Sequence, residues 1–309
     1  MNLGIPRALL YYDHFPLWRT LLETLGFEVT VSPPTNKAIL DLGVSLAPDE
    51  ACLPVKICYG HLAAVRNVAA LFLPRMVSEK AGTFLCPKLI GLPDMVRPSL
   101  DGELISPVVD LRKGRKGLIR QLACCLGTGY KQVQGALAEA EEAQRQFLRR
   151  MQQDKLTPQE AMSGQNSCRR GKLTLGLLGH PYLVYDSFLN MNILSFLQRR
   201  DLFPLTAQML PSEKIQRCAQ QLPKKLFWSL EAQIMGAGIA FLEEKVAGII
   251  HLSSFGCGPD AMIGELMNLR ARSSGVPLLE LNLDEQTGQA GVETRLEAFL
   301  DMLQRRCPA

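Results

Sequence analysis

The sequence predicts an α/β protein of two lobes, each a parallel β-sheet covered by helices. Three observations carry this expectation. Short apolar, β-branched runs alternate with helix-period segments through both halves of the chain, the order that parallel sheets with crossover helices require. The alternation stops at a long polar helix and a segment of turn residues, then restarts. The two halves also open alike. Gly4-Ile-Pro-Arg-Ala-Leu-Leu-Tyr-Tyr-Asp13 is similar to Gly179-His-Pro-Tyr-Leu-Val-Tyr-Asp186 across a two-residue gap, which points to an internal duplication.

The elements follow in order. Residues 3–5 open the first strand, and residues 16–25 form an amphipathic helix that Gly26 ends. Residues 27–32 alternate and are β-branched, as in a strand. Thr35 caps a short helix over 35–42, and 43–47 reads as another short strand. Residues 53–66 are expected to be helical, and 69–73 and 107–111 to be strands. Residues 130–153, polar and rich in Ala, Glu, Gln and Arg, form one long helix. Pro158, Ser163, Gly164, Asn166 and Ser167 mark 155–171 as a linker.

In the second half, strands are expected at 172–178, 246–252 and 276–283. Helices are expected at 190–200, 212–221, 229–244, 260–272 and 292–305. Gly236 and Gly238 fall inside one of these helices, where they permit close packing. The resulting organisation is a first lobe over 1–128, a long helix and linker over 129–171, and a second lobe over 172–309. Each lobe is Rossmann-like (flavodoxin-like). Ligands of such open sheets bind beyond the carboxyl ends of the strands.

Composition narrows the function. The 309 residues are 47% hydrophobic and 21% charged, with a net charge of +4, which is ordinary for globular domains. Basic residues are scattered apart from short patches at Arg112, Arg115 and Lys116, at Arg169, Arg170 and Lys172, and at Lys224 and Lys225. These read as solvated faces, not as the concentrated stripe a nucleic-acid protein needs. The N-terminal segment has no basic stretch followed by an apolar run, so no signal peptide is expected. Apolar runs are broken before membrane-spanning length, and a cytoplasmic location is expected. The sequence contains no P-loop, no Gly-x-Gly-x-x-Gly after either first strand and no Gly-x-Ser-x-Gly elbow.

The nine cysteines are an odd set without a secretion signal, which argues against a disulfide framework. No Cys-x-x-Cys occurs, so zinc-ribbon spacing is absent. Cys52, Cys86 and Cys257 stand out because each is followed within two residues by proline. Proline suits the first turn of a helix, so Cys52 and Cys257 read as residues poised at helix N-termini. Backbone N–H groups and the helix dipole there favour a thiolate or an anionic cluster. Burial as small hydrophobes is the competing reading, and for Cys58 the two stand level. Cys124 and Cys125 are read as core packing, and Cys168, Cys218 and Cys307 receive no role. Among the histidines, His61 and His180 sit in these turn segments and are candidates for proton transfer. His14 and His251 read as surface and strand-end residues. Asp284, Glu285 and Thr287 read as a structural loop.

The same segments carry a family resemblance. Gly4-Ile-Pro-Arg-Ala-Leu9, Glu50-Ala-Cys-Leu-Pro-Val-Lys56 with Gly60-His61, and Cys86-Pro-Lys88 resemble the 2-hydroxyacyl-CoA dehydratase activase-related family. So do Gly179-His-Pro-Tyr182 with Asp186 and Asn190, Phe255-Gly-Cys-Gly-Pro-Asp260, and Asp284-Glu-Gln-Thr-Gly288 with Gly291 and the 294–299 segment. The domain of that family also occurs fused to large activases. The resemblance implies kinship with the cluster subunits of 2-hydroxyacyl-CoA dehydratases and benzoyl-CoA reductases. It therefore implies a [4Fe-4S] cluster between two lobes, held by Cys52, Cys86 and Cys257, with Cys58 as a possible fourth ligand. Lys56 and Lys88, each read first as a surface lysine, would then balance cluster or substrate charge, and His61 or His180 would move a proton. An ATP-hydrolysing activase with its own cluster is the implied partner, with a homologous second subunit or a homodimer also implied. Two other uses stay open: an electron carrier or cluster scaffold, and a cluster-free ligand-binding or regulatory protein.

Overall fold

A computed structural model describes residues 1–65, 67–80, 82–164, 171 and 173–306. Cys168, Cys307 and the patch of Arg169, Arg170 and Lys172 lie outside the described residues. The chain divides into two compact units, Met1–Arg150 with Phe227–Ser229, and Met151–Leu226 with Leu230–Ala309.

The first unit runs β1 (Asn2–Ile5), α1 (Tyr11–Thr24), β2 (Glu28–Val31), α2 (Lys37–Leu46), α3 (Leu53–Ala64) and β3 (Ala70–Phe72). It continues with β4 (Arg75–Ser78), α4 (Pro87–Val96), β5 (Glu103–Ile105), β6 (Val108–Asp110), α5 (Gly114–Leu126) and α6 (Tyr130–Gln153). The second unit follows with α7 (Pro158–Ser163), β7 (Leu173–Gly179), α8 (Pro181–Val184), α9 (Ile193–Arg199) and β8 (Leu202–Thr206). Its remaining elements are α10 (Ser212–Ala219), α11 (Ser229–Glu243), β9 (Gly248–Ser254), α12 (Gly258–Ser274), β10 (Leu278–Leu283) and α13 (Gln289–Arg306). Residues Phe227–Ser229 join the first unit by bonding to Phe84 on both sides.

Each unit is built on a four-stranded sheet in which every pairing is parallel. The orders are β2-β1-β3-β5 and β8-β7-β9-β10. Counting only a sheet's own strands, both run second, first, third, fourth, the arrangement a duplicated unit gives. The predicted α/β class with two Rossmann-like lobes is the observed one. A parallel pair, β4 and β6, is an addition to the first unit. In both main sheets the strand order reverses between the first and third strands. The crevice at that reversal is where open α/β sheets bind ligands. In the second unit His180 follows β7 and Cys257 follows β9, so both residues stand at the switch point.

Several local expectations change once packing is included. Residues 43–47 are not a strand. They are the end of α2, whose buried Ile39, Leu40 and Gly43 follow helical spacing. Asn36, not Thr35, caps that helix by accepting from the Ile39 N–H. The 155–171 segment holds α7, which opens with a capping box between Thr157 and Glu160. Cys124 is exposed and Cys125 only half-buried, so α5 does not pack them in the core. His14 is half-buried and pairs with Glu79 at 2.5 Å. His251 is fully buried within β9. Gly236 and Gly238 do permit close packing: a Cβ on Gly236 would meet the Ile215 carbonyl oxygen at 2.3 Å.

Two contacts hold the helices of the first unit. The helix α3 is buried from Leu53 through Leu62. It lies against α2 so closely that a Cβ on Gly60 would stand 2.0 Å from the Ile39 carbonyl oxygen. A Cβ on Gly43 would stand 2.1 Å from that of Lys56. The second contact repairs α1. Pro16 lies inside this helix, where its ring displaces the backbone ladder. The side-chain amide of Gln144 on α6 enters the gap. Its Nε2 donates to the Asp13 carbonyl at 2.6 Å, and its Oε1 accepts from the Leu17 N–H at 3.2 Å.

Gly60→Ala is therefore expected to destabilise the protein. The Cβ meets main chain, which no rotamer relieves, so overpacking of about 2 kcal/mol or more outweighs the gain in helix propensity of about 1 kcal/mol. Denaturant titration checks it. Gln144→Ala strands one main-chain donor and one acceptor and is expected to cost about 1–3 kcal/mol in the same measurement. An unchanged midpoint would show that the amide does not bridge the α1 gap.

Candidate functional site

Four residues singled out in the sequence occupy one structural role. Cys52, Cys86, His180 and Cys257 are the N-caps of α3, α4, α8 and α12. Each helix has proline in its first two positions, and none of the four side chains makes a capping hydrogen bond. Ser, Thr, Asp or Asn would satisfy a first-turn N–H from this position. A thiol or imidazole satisfies such a group less well, and at Cys52 the Val55 N–H is directed at the sulfur itself. Cys52 follows helix α2, not the strand expected there.

In the first unit Cys52 and Cys86 are neighbours. Cys52 is 8% exposed, and Cys86 is half-buried. Burial pushes the Cys52 thiol up. Lys88 and the Val55 N–H pull it back, and the nearby Cys86 sulfur pushes it up again. Lys88 is anchored between the two loops, its Nζ donating to the Glu50 carbonyl at 3.1 Å. Lys56 is 6% exposed, so it is not the surface lysine its sequence suggests. Cys58 is fully buried in α3, and burial alone pushes its thiol up to about 12. No neighbouring charge favours a thiolate there.

His61 also lies on α3 and is fully buried. Its Nδ1 bonds Ser32 Oγ at 2.8 Å, and its Nε2 bonds Thr35 Oγ1 at 2.9 Å. Ser32 Oγ also accepts from the Arg7 N–H at 2.8 Å. The ring thus ties α3 to the loops that follow β1 and β2. Burial, aided by the Arg7 charge, lowers its pKa to about 4.

The second unit gathers a different group at its switch point. A ring nitrogen of His180, Cys257 Sγ and a carboxylate oxygen of Asp260 all lie within 4.8 Å of one another. Asp260, in the first turn of α12, is fully buried, and its Oδ2 accepts from the Ser254 N–H at 3.3 Å. Glu231 Oε1 stands 3.9 Å from His180 Nε2, and His251 Nε2 stands 3.4 Å from Asp260 Oδ1. Gly264 of α12 faces this group: a Cβ there would lie 3.4 Å from His251 Cε1 and 2.6 Å from Glu280 Oε1, the movable end of that side chain. Both nitrogens of His180 and of His251, together with Asp260 Oδ1 and Glu231 Oε2, have no hydrogen-bond partner. Each such buried atom costs about 1–3 kcal/mol. Burial lowers the His180 pKa, against the pull of Asp260. Burial raises Glu231 to about 7. Burial opposes ionisation of Asp260, but His180, His251 and the Ser254 N–H hold its carboxyl below the usual range. The group therefore presents a neutral imidazole and an ionised carboxylate, the forms that ligate metals.

The family described as "CoA enzyme activase uncharacterised domain" matches residues 2–210. The chain belongs to that family. No curated protein matches the chain. The matched span of this CoA enzyme activase-related domain contains Cys52, His61, Cys86 and His180, and ends before Glu231, His251, Cys257 and Asp260. His251 and Glu231 were missed in the sequence. The signal for His251 was present: a histidine inside the continuous apolar strand of 246–252 sits where parallel sheets are covered on both faces. Asp284 and Thr287 form the structural loop expected of them, with Thr287 Oγ1 donating to Asp284 Oδ1 at 2.8 Å. Among the described residues, no helix is long and apolar enough to cross a membrane.

The buried state of His61 gives a pH dependence. The unfolded chain takes up this proton near 6.5, and the folded chain only near 4. Stability is expected to fall as pH drops from 6.5 to 4, by up to roughly 3 kcal/mol from this residue. Comparing denaturant midpoints of the wild type and His61→Asn across that range checks it. Parallel pH profiles for the two proteins would remove His61 as the source.

Proposed function

We propose that this CoA enzyme activase-related chain is an iron–sulfur protein in which Cys52, Cys86 and Cys257 hold a [4Fe-4S] cluster. The observation that carries the reading is the shared N-cap role of the three cysteines, each before a proline-containing first turn. Thiolate donors fit such a cluster, and the positive ends of helices suit its negative charge. The influence of Cys86 on the Cys52 thiol, with Lys88 beside Cys52, adds a second line of support. When bound, the cluster would supply a low-potential one-electron centre, charged by an ATP-hydrolysing activase and used in 2-hydroxyacyl-CoA dehydratase- or reductase-like chemistry.

The residues around it have definable tasks in this reading. Lys88 lowers the cost of ionising Cys52 and fixes the Glu50 loop. Lys56 is buried on α3, close in sequence to Cys52. His180 is neutral and buried, stacked on Tyr182 with ring centroids 4.8 Å apart. It is the better placed of the two candidate histidines to accept a proton, because both nitrogens of His61 are already bonded.

One observation favours a cluster-free ligand-binding role as the second reading. Where β1 and β3 end, a cavity of about 60 Å³ is lined by apolar side chains, including Leu9, Tyr11, Trp18, Phe72 and Leu92. Iron and acid-labile sulfide analysis, with EPR after reduction, separates the two on anaerobically purified protein. The cluster reading expects about four irons per chain, with loss in each of Cys52→Ala, Cys86→Ala and Cys257→Ala. A wild type that stays iron-free after reconstitution overturns it in favour of the second reading.

A further inference from the structure

The polar group at the switch point of the second unit is incomplete as protein structure. His180 is 2% exposed, and Asp260 and His251 are fully buried. Buried polar groups are almost always bonded to something. Here two imidazoles and two carboxylates face one another at 3.4 Å and 3.9 Å, yet both ring nitrogens of each histidine lack a hydrogen bond. The side chains converge without satisfying one another. A core network kept for stability alone would show closed hydrogen bonds.

We infer that the second unit binds one divalent first-row transition-metal cation, Zn2+ or Fe2+, through His180, Cys257 and Asp260. The donor set is one nitrogen, one sulfur and one oxygen, which suits borderline cations of this row. Tetrahedral ligands at ordinary bond lengths are roughly 3.3–3.6 Å apart. The 4.8 Å limit on the present separations therefore closes with a contraction of about 1 Å. Three protein ligands leave a fourth position for water or an anionic ligand. Glu231 and His251 are positioning residues. Glu231 faces His180 Nε2, and His251 faces Asp260 Oδ1. Metal-bound imidazoles and carboxylates are commonly held by such outer partners. Cys257 is the only residue shared with the cluster reading, and it serves one centre at a time. The cation site thus belongs to the cluster-free chain, and nothing else in it rests on that reading.

The test uses full-length, metal-free protein carrying Cys52→Ala and Cys86→Ala, so that the proposed cluster cannot form. Anaerobic titration with Co2+ is expected to saturate at one ion per chain, with intense tetrahedral bands and a thiolate-to-cobalt charge-transfer band. Zn2+ should displace the signal. His180→Ala and Asp260→Asn should weaken binding at least 10-fold, and Glu231→Gln by about 10-fold or more. Cys257→Ser, which conserves volume, should abolish the charge-transfer band while circular dichroism stays native. The inference is overturned by a folded chain that binds no Co2+. It is equally overturned by binding without a thiolate band, or by binding that His180→Ala and Asp260→Asn leave unchanged. If the doubly substituted chain does not fold, metal-free wild type with the same His180 and Asp260 variants gives the same decision. Failure of the cluster reading has a separate signature, the absence of iron and sulfide from reconstituted wild type.

Discussion

The first unit depends on two carbon atoms that are missing. Gly43 and Gly60 let the backbones of α2 and α3 touch, where a Cβ on either would lie about 2 Å from a carbonyl oxygen of the other helix. That contact is what allows α3 to be buried from Leu53 through Leu62. A helix enclosed on all sides cannot rotate or slide, so its N-terminus and the Cys52 cap are fixed in place. The same enclosure strips water from His61 and Cys58, leaving the first neutral and the second a thiol. The fine positions in this unit thus follow from backbone proximity more than from any polar bond.

Both units place chemically capable side chains at helix N-termini, but they solve the charge problem differently. In the first, Cys52 and Cys86 have Lys88 beside them, so a thiolate there meets a positive neighbour. In the second, Cys257 and His180 meet acids, with Asp260 and Glu231 behind them. The repeat of strand order in the two sheets gives both units a crevice at the same topological point. The first unit lines its crevice with apolar side chains, and the second lines its own with polar ones.

Much of this architecture was legible in the sequence. The long helix was expected over 130–153, and α6 occupies those residues, because an uninterrupted run of strong helix formers specifies its own conformation. Cys52 and Cys257 were expected at helix starts and are found there, since proline two residues later fits only the first turn. Elsewhere local pattern misled. Leu42-Gly43-Val44 alternates like a strand, yet it completes a helix whose glycine is needed for contact with α3. Pro16 argues for a helix start, yet α1 begins at Tyr11 because Gln144, far along the chain, repairs the break.

The sequence by itself determined the alternation of strands and helices, the division into two similar halves, and the cysteine and histidine turns that end in proline. These are local properties: periodicity, propensity and the missing N–H of proline act within a few residues. The tertiary structure alone decided which polar groups lose their water. Lys56, His251, Glu231 and Asp260 look like ordinary charged or polar residues in the chain, and all four are buried. Burial depends on what packs opposite a side chain, and that partner comes from a distant element. The unsatisfied polar atoms that define the second unit's site exist only because β9, α11 and α12 close over one another.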